Sequence, residues 1–153
     1  MMPGFTPYDF AEMGEAMGLD EQSEVPIRTL LVDCYSLPRQ ALRNALRLEP
    51  MVSVVGDTDD VVVGLRLAKR LQPQAVIMEI SMRGLSGFEA TKVLKQQLPY
   101  VQVILMSAVY SHAEAASEAR RCGASLFWNK MSNVYVDLIP RMFSLFRPHI
   151  LAS

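Results

Sequence analysis

Cysteine and long apolar runs are both scarce in this chain. The 153 residues include two cysteines, Cys34 and Cys122, which fall at the end of a predicted strand and of a predicted helix. We expect no disulfide between them, and reduced thiols are typical of the cytoplasm. No stretch approaches the roughly 18 apolar residues that cross a bilayer, and the N-terminus has no basic segment followed by an apolar one. The sequence therefore predicts a soluble cytoplasmic protein that makes no membrane contact.

A strong excess of charge of one sign is also missing. The chain has 15 basic and 16 acidic residues, so its formal net charge of -1 gives no reason to expect that this chain itself binds nucleic acid. The acidic residues are nevertheless unevenly placed. Six of them precede Arg28, where no Lys or Arg occurs, and 28–153 keeps all 15 basic and the other 10 acidic residues, a formal +5. An acidic arm is predicted to precede a mildly basic domain.

The arm is assigned to residues 1–25. It contains Pro3, Gly4, Pro7, Gly14 and Gly18, which favour a flexible segment outside the core. Two interpretations stay open because the apolar residues of this segment also recur at helical spacing. The arm is either a disordered leader or a short amphipathic segment that docks on a partner or on the domain itself. The apolar residues at helical spacing are Phe10, Met13 and Met17.

The length and apolar content fit one globular domain. Half of the 153 residues are apolar, which is enough for one core and too little chain for two full domains. We assign 26–147 to this domain and 148–153 to a C-terminal tail. Apolar runs predict strands over 29–32, 51–55, 75–78, 102–106 and 125–128, and helices are predicted over 38–48, 60–72, 87–97, 112–122 and 133–146. Such alternation predicts a parallel α/β sheet.

Local signals refine two of the predicted helices. Asp59 or Asp60 is suited to cap the helix over 60–72, because a short carboxylate accepts hydrogen bonds from the first free N–H groups of a helix. Pro140 falls inside the last predicted helix, where it lacks an N–H and clashes with the preceding turn. We therefore expect a kink there, or a late helix start near Asp137.

Polar residues follow four of the predicted strands. They are Asp33, Glu79, Ser107 and the pair Asn129 and Lys130. Carboxyl ends of parallel strands share one edge of a sheet, so we expect these side chains to meet there. The turn over 33–37 has no Gly-rich phosphate cradle, and a Walker-type lysine motif is absent from the sequence. A cofactor-binding enzyme on this architecture, such as a flavodoxin, is therefore disfavoured.

These motifs resemble the receiver domain of bacterial response regulators over about Pro26 to Arg147. The matching segments are TLLVDC at 29–34, VIMEISMRG at 76–84, LMSA at 105–108 and CGASLFWNK at 122–130. Segments 84–91 and 122–130 are most similar to the subfamily whose receiver precedes a helix-turn-helix domain (LuxR/NarL type). The resemblance implies a flavodoxin-like, doubly wound five-stranded parallel sheet of strand order 2-1-3-4-5 with helices on both faces. It also implies a non-enzymatic role in two-component signalling and transcription control.

The resemblance gives each polar residue a family role. Glu79 takes the place of the phosphate-accepting aspartate, and Cys34 replaces the second acid of the pair that Asp33 begins. Ser107 takes the switch hydroxyl position, Phe127 the aromatic switch position and Lys130 the position of the invariant-type lysine. The metal-pocket equivalents are Asp33, Cys34, Glu79 and Ser81. Arg83 stands where the family usually has proline.

The two replacements weaken the phosphorelay chemistry that the family implies. Mg²⁺ prefers hard oxygen ligands, and the Cys34 thiol is a soft substitute, so we expect weak or absent Mg²⁺ binding and no other cofactor. The additional methylene of Glu79 moves its oxygens by more than about 1 Å, so phosphorylation should fail or be slow. We expect no catalytic residue. Glu79 should reach Lys130 and Ser107, where it either mimics the phosphorylated state or forms an inert structural pair.

The leading hypothesis is thus an atypical receiver that acts through protein contacts. The alternatives are a conventional phosphorelay receiver that uses Glu79, and the receiver part of a truncated DNA-binding transcription regulator. The chain stops shortly after its last predicted helix, which fits either such a truncation or a stand-alone protein. Trp128 alternates away from Phe127 along its strand and is predicted to be an exposed interface residue. A homodimer through the last helix is expected, because that helix has more apolar residues than one buried stripe needs. The proposed dimer residues are Val134, Tyr135, Ile139, Phe143 and Phe146.

Overall fold

Five parallel strands form a single sheet in the protein. The structure is a computed structural model and describes residues 25–146. The strands are β1 (Ile27–Val32), β2 (Val52–Thr58), β3 (Ala75–Glu79), β4 (Gln102–Ser107) and β5 (Leu126–Asn129). Their order is β2-β1-β3-β4-β5, and every pair is parallel, which confirms the predicted topology. The predicted arm, apart from Val25, and the tail lie outside the described residues, and the domain boundaries stay predictions.

Helices connect the strands, as the alternation predicted. They are α1 (Ser36–Arg47), α2 (Val61–Leu71), α3 (Gly87–Gln97), α4 (His112–Cys122) and α5 (Ile139–Phe146). The side chains of Asp60, Ser86 and Ser111 accept backbone N–H groups at the starts of α2, α3 and α4. These caps fix three helix starts at the carboxyl edge of the sheet. None of the described helices is both long and apolar enough to cross a membrane.

The last helical segment is irregular. A π-helical turn covers Val134–Leu138, and α5 begins only at Ile139. Pro140 therefore lies in the first turn of α5, where its missing N–H costs less than in a helix interior. The expected irregularity is present, but it lies before Pro140 and takes the form of a π turn. Ile139 is 4% exposed and packs in the core, so its prediction as a dimer contact is wrong.

Two apolar layers lie on opposite faces of the sheet. Leu30, Val76, Val103 and Phe127 pack on one face with residues of α2, α3 and α4. Leu31, Ile77, Met106 and Trp128 pack on the other face with residues of α1 and α5. This division follows from the alternation of side chains along each strand, and it places helices on both faces, as predicted.

Trp128 corrects one of the sequence predictions. It does alternate away from Phe127, but it is 3% exposed and belongs to the core layer beneath α1 and α5. The prediction of an exposed interface residue is wrong because both faces of a doubly wound sheet are covered by helices. Both cysteines are free thiols. Cys34 is partly exposed, whereas Cys122, at the end of α4, is buried.

Candidate functional site

Three charged side chains meet at the carboxyl edge of the sheet. Asp33 follows β1, Glu79 ends β3, and Lys130 follows β5. The Nζ atom of Lys130 donates to Oδ2 of Asp33 at 2.7 Å and to Oε2 of Glu79 at 2.8 Å. The predicted meeting of these three residues, and the Glu79–Lys130 pair, are therefore present in the structure. We call Asp33, Glu79 and Lys130 the charged triad.

The triad is largely shielded from water. The side chains of Asp33, Glu79 and Lys130 are 0%, 2% and 11% exposed. Burying a charge is costly unless it is paired and hydrogen-bonded, and here one ammonium serves two carboxylates. The triad keeps a formal charge of about -1 when both acids are ionised, so backbone groups must stabilise the remaining carboxylate oxygens.

Backbone N–H groups supply that stabilisation. The other oxygen of Asp33 accepts the N–H of Tyr35 at 3.0 Å, and the other oxygen of Glu79 accepts the N–H of Ser81 at 3.2 Å. Each carboxylate thus has one oxygen on Lys130 and one on the loop that follows its own strand. The two loops are fixed by the same charges that hold the lysine.

The ring of Tyr35 covers the triad on its outer side. The Nζ atom of Lys130 lies 5.1 Å from the centroid of this ring, within the range of a cation–π contact. Tyr35 itself is 51% exposed. Sequence reasoning did not single out this residue, because nothing in the pattern indicates that a tyrosine two positions after Asp33 folds back over a lysine from β5.

The triad shifts the ionisation of its members. Burial raises the pKa of Glu79 above its usual value, and the hydrogen bond and charge of Lys130 offset only part of this effect. Burial alone would lower the pKa of Lys130, but its hydrogen bonds to Asp33 and Glu79 outweigh burial and the pKa is raised. The ammonium is therefore held in its charged form, and Glu79 takes up a proton at a higher pH than an ordinary glutamate does.

Cys34 does not join the triad. Its Sγ atom donates to the carbonyl of Ser81 at 3.3 Å, and burial together with the charges of Asp33 and Glu79 raises the pKa of the thiol. Cys34 and Ser81 line a cleft of about 620 Å³ between the loops at 34–35, 59–61 and 81–83. A protonated thiol that donates to a carbonyl is a poor ligand for a hard cation.

The residues present do not fit the Mg²⁺ ion that the family implies. The facing oxygens of Asp33 and Glu79 are both bonded to the ammonium of Lys130, and the position of the second acid is a thiol. Among residues 25–146, no cluster of three or more His, Cys, Asp or Glu side chains is arranged to hold a metal ion. The expectation of weak or absent Mg²⁺ binding stays a prediction, and its physical basis is the competition from Lys130.

Ser107 lies apart from Glu79. Its Oγ atom accepts the N–H groups of Val109 at 3.1 Å and Tyr110 at 3.4 Å, and no hydrogen bond joins it to Glu79 within the described chain. Glu79 pairs in register with Met106, so the next residue of β4 points to the opposite face. The expected contact between Glu79 and Ser107 is therefore wrong for this conformation. Phe127 is 2% exposed on that opposite face, and its switch role stays a prediction.

Two arginines of α1 donate to groups at the ends of β1 and β2, and sequence reasoning missed both. Arg39 donates to the carbonyl of Asp33 at 2.7 Å and to the carboxylate of Asp57 at 3.2 Å. Arg43 donates to the same carboxylate at 3.1 Å. The sequence does show that the two arginines are four residues apart and therefore share one face of the helix. It does not show which groups they contact, because that depends on the strand order.

Gly87 fixes the loop after β3. A Cβ atom at this position would lie 2.6 Å from the carbonyl oxygen of Glu79 and 2.8 Å from Cα of Ile80. The N–H of Gly87 also donates to the carbonyl of Ile80 at 2.8 Å. The start of α3 therefore rests directly on the backbone that carries Glu79, which a larger residue would displace.

Comparisons with known proteins agree with the five-stranded parallel fold. Residues 29–135 match the sequence profile of the response regulator receiver domain. The chain is 34% identical over 82 residues to the transcriptional regulatory protein LiaR of Bacillus subtilis, a match that covers 54% of this chain and 39% of LiaR. It is 32% identical over 99 residues to protein-glutamate methylesterase/protein-glutamine glutaminase 4 of Myxococcus xanthus, covering 65% of this chain and 28% of that protein.

Solved structures give the same fold. The signal receiver domain of the putative response regulator NarL from Mycobacterium tuberculosis superposes with a TM-score of 0.73 at 26% identity, covering 79% of this chain and 96% of that one. The response regulator domain of Thermotoga maritima CheB superposes with a TM-score of 0.68 at 28% identity, covering 80% of this chain and 95% of that one. The chain spans less than half the length of the full-length relatives LiaR and the methylesterase.

The first prediction concerns Lys130→Met, which removes the ammonium at similar side-chain length. Two buried carboxylates then lose their shared donor, and we expect the free energy of unfolding to fall by about 1 to 3 kcal/mol. Lys92→Met, at an exposed position of α3, is the matched control and should change stability by less than about 0.5 kcal/mol. Urea unfolding measures both. Equal losses in the two variants would show that the triad does not stabilise the fold.

The second prediction concerns pH. Since the pKa of Glu79 is raised on folding, the folded protein keeps a proton that the unfolded chain loses above about pH 4.3, the usual Glu value. This contribution is fully present below that pH and is lost as the pH rises through the raised folded pKa. Wild type should therefore lose stability relative to Glu79→Gln as the pH rises from about 4 to about 7.

Urea unfolding across this pH range tests the second prediction. Glu114→Gln, at an exposed position of α4, is the control and should follow wild type. If the stability difference between wild type and Glu79→Gln does not change with pH, Glu79 titrates normally in the folded protein and the prediction fails.

Proposed function

This chain belongs to the response regulator receiver domain family, and from that premise we propose that it signals through protein contacts without phosphoryl transfer to an aspartate. Membership of this family gives the chain a general role as a receiver in signal transduction. The proposal is the finer step: an atypical, non-enzymatic receiver that acts in a cytoplasmic signalling or transcription-control pathway. Its protein partner would recognise one fixed conformation of the domain.

One observation carries this proposal: the ammonium of Lys130 bridges Asp33 and Glu79. In-line phosphoryl transfer needs a cation that neutralises the developing charge and an acceptor oxygen free to attack. Here one Glu79 oxygen accepts from Lys130 and the other from the backbone N–H of Ser81. Phosphorylation would have to break these bonds inside a shielded site and place an elongated side chain in line with the donor.

The same contact supports a fixed signalling state. In a two-state domain, a permanent charge-assisted hydrogen bond of about 1.5 to 3 kcal/mol biases the equilibrium toward the state that contains it. We propose that Glu79 supplies the negative charge that a phosphoryl group would bring to Lys130, although it does so without engaging Ser107. An inert structural pair is the other outcome, and partner binding by Glu79→Gln separates the two, because only a phosphomimic changes that binding.

A second candidate function follows from the length of the relatives. LiaR and DegU of Brevibacillus brevis are named transcriptional regulatory proteins, and the matches cover 39% and 44% of their lengths. We propose as the alternative that this sequence is the receiver part of a longer DNA-binding regulator. The matched methylesterases share the receiver segment alone, since one match covers 28% of its protein, so their activity is not transferred to this chain. A reading frame that continues past Ser153 into a helix-turn-helix segment would favour the alternative.

We propose a homodimer in which fewer of the predicted residues form the contact. Val134, Phe143 and Phe146 are partly buried against the chain's own core, whereas Tyr135 is 50% and Val136 is 78% exposed. The π turn displays these last two side chains beside the start of α5. We propose that this turn forms the centre of the dimer contact.

The third prediction concerns phosphorylation. Intact mass after incubation with acetyl phosphate and Mg²⁺ should show no phosphoryl adduct on the wild-type chain, because the site lacks the second acid and its oxygens are bonded to Lys130. The double variant Cys34→Asp, Glu79→Asp should regain Mg²⁺ affinity and accept a phosphoryl group, whereas Glu79→Asp alone keeps the thiol and should bind Mg²⁺ weakly. A stoichiometric adduct on Glu79 of the wild type would overturn the proposal.

The fourth prediction concerns assembly. Light scattering at about 100 μM, a concentration that populates weak dimers, should give the mass of two chains. Tyr135→Ser should shift the protein toward monomer, because it removes an exposed aromatic side chain from the proposed contact. Leu37→Ser, at an exposed position of α1, should leave the dimer intact. A wild-type monomer at this concentration would contradict the dimer.

A further inference from the structure

The described domain is electrically polarised along its strands. Helices of this fold run opposite to the strands, so their first turns lie at the carboxyl edge of the sheet and their last turns at the amino edge. The triad acids, the Asp60 cap and the first-turn residues Glu89 and Glu114 lie at the carboxyl edge. The last turns of four helices carry basic residues at the opposite edge. These are Arg47, Lys69, Arg70, Lys95, Arg120 and Arg121.

Among these six bases, Arg121 alone forms an ion pair within residues 25–146, and Lys95 and Arg120 donate to backbone carbonyls. Arg47, Lys69 and Arg70 are exposed, and within residues 25–146 none of them forms an ion pair. Basic residues in a last turn also offset the helix dipole, but this interaction is weak at an exposed site. Their positive charge therefore remains available to an acidic partner. We call Arg47, Lys69 and Arg70 the basic rim.

An open groove lies at the same edge, where the loop after α2 follows Lys69 and Arg70. It has a volume of about 490 Å³ and is lined by the loops at 72–74 and 97–102 and by Phe146. Tyr100 stands at its mouth with 92% of its surface exposed, and Leu48, at the end of α1, is 75% exposed. The edge thus combines positive charge with apolar surface, which suits an acidic amphipathic segment.

The sequence itself contains an acidic stretch with apolar residues at helical spacing before β1. Six acidic residues and no Lys or Arg precede Arg28, and Phe10, Met13 and Met17 recur at helical spacing. The segment precedes β1 in the sequence, and the loops that line the groove lead into β3, which is next to β1, and into β4, which is next to β3. Adjacent strands lie about 4.8 Å apart, so the groove is within about 10 Å of the start of β1. Met17 precedes Val25 by eight residues, which span at most about 28 Å.

We propose that the acidic N-terminal segment, residues 1–24, docks on its own domain at the amino edge of the sheet. Its carboxylates pair with Arg47, Lys69 and Arg70, and its apolar stripe occupies the groove beside Tyr100. Charge complementarity, the apolar lining and the point of attachment all select this occupant over an unrelated partner. The docked segment covers the edge opposite to the charged triad, so it leaves the signalling face of the domain accessible.

Zero-length carbodiimide coupling on the full chain tests this docking. The reagent joins a carboxylate to a lysine amine only when the two are in contact, and mass spectrometry of the digested monomer identifies the joined peptides. We expect segment-to-Lys69 products to exceed segment-to-Lys92 products by at least about fivefold, because docking raises the local concentration of carboxylates at the rim. Lys92 is the matched control, since it is exposed on α3 and outside the rim.

Salt and substitutions give independent arms of the test. Raising the salt from about 0.1 M to about 1 M shortens the Debye length from ~10 Å to ~3 Å and should remove the preference for Lys69. The double variant Arg47→Glu, Arg70→Glu keeps the Lys69 amine and should abolish the same preference, and Tyr100→Ser should reduce it. These residues are exposed, so the variants should fold, and far-ultraviolet circular dichroism checks that they do.

Two results would overturn the inference. Equal yields at Lys69 and Lys92 at low salt would show that the segment does not select the rim. Products that join an isotopically labelled copy to an unlabelled one, in place of products within one copy, would show that the acidic segment docks on a second molecule. Neither result depends on phosphorylation or dimer contacts through Tyr135, so the inference stands or fails separately from the proposed function.

Discussion

The ion pairs of Lys130 with Asp33 and Glu79 are the interaction on which the rest of the site depends. They join the ends of β1, β3 and β5 across the carboxyl edge of the sheet, with N–O distances of 2.7 and 2.8 Å. Because all three side chains are buried, removal of Lys130 leaves two carboxylates uncompensated, and removal of either acid changes the net charge of a poorly solvated site. The loops that follow β1 and β3 are bonded to the remaining carboxylate oxygens, so their conformation follows from the same charges.

This arrangement supports the proposal that two replacements change the chemistry of the sheet edge. Cys34 stands where the family has a carboxylate that could bind a cation, and its thiol donates to the carbonyl of Ser81. Glu79 is one methylene longer than aspartate, which brings its oxygen onto the ammonium of Lys130. In the proposed function, the lysine supplies the positive charge that a metal ion would otherwise supply. An internal cation is always present, whereas a bound metal or phosphoryl group comes and goes.

The order of elements also produces the polarity of the domain. Acidic residues cap or begin α2, α3 and α4, basic residues end α1 to α4, and the parallel sheet aligns those helices in one direction relative to the strands. The charged residues that stabilise individual helix ends therefore produce a charge difference between the two opposite edges of the sheet. The carboxyl edge carries the triad and the altered pocket, and the amino edge carries the basic rim beside an apolar groove. The two edges are thereby equipped for different partners.

The sequence by itself determined the strand and helix order, because apolar runs, caps such as Asp60 and the polar residues at strand ends are local signals. The limits of α3 and α4 were predicted as they occur, and β2 is longer than predicted because its last residues pair with β1. The sequence also brought Asp33, Glu79 and Lys130 to one edge, since parallel strands end together. The resemblance to a known family supplied the strand order and the role of each position.

Only the tertiary structure decided which neighbours each side chain meets. Ser107 turns away from Glu79 because β4 pairs with β3 through Met106, and Trp128 is buried because α1 and α5 cover the face to which it points. Ile139 lies in the core because the π turn before α5 determines which face of that helix packs against the sheet. Tyr35 and Arg39 gained their roles from contacts across the fold with Lys130 and Asp57. Such contacts depend on register and on helix placement, which no window of the sequence contains.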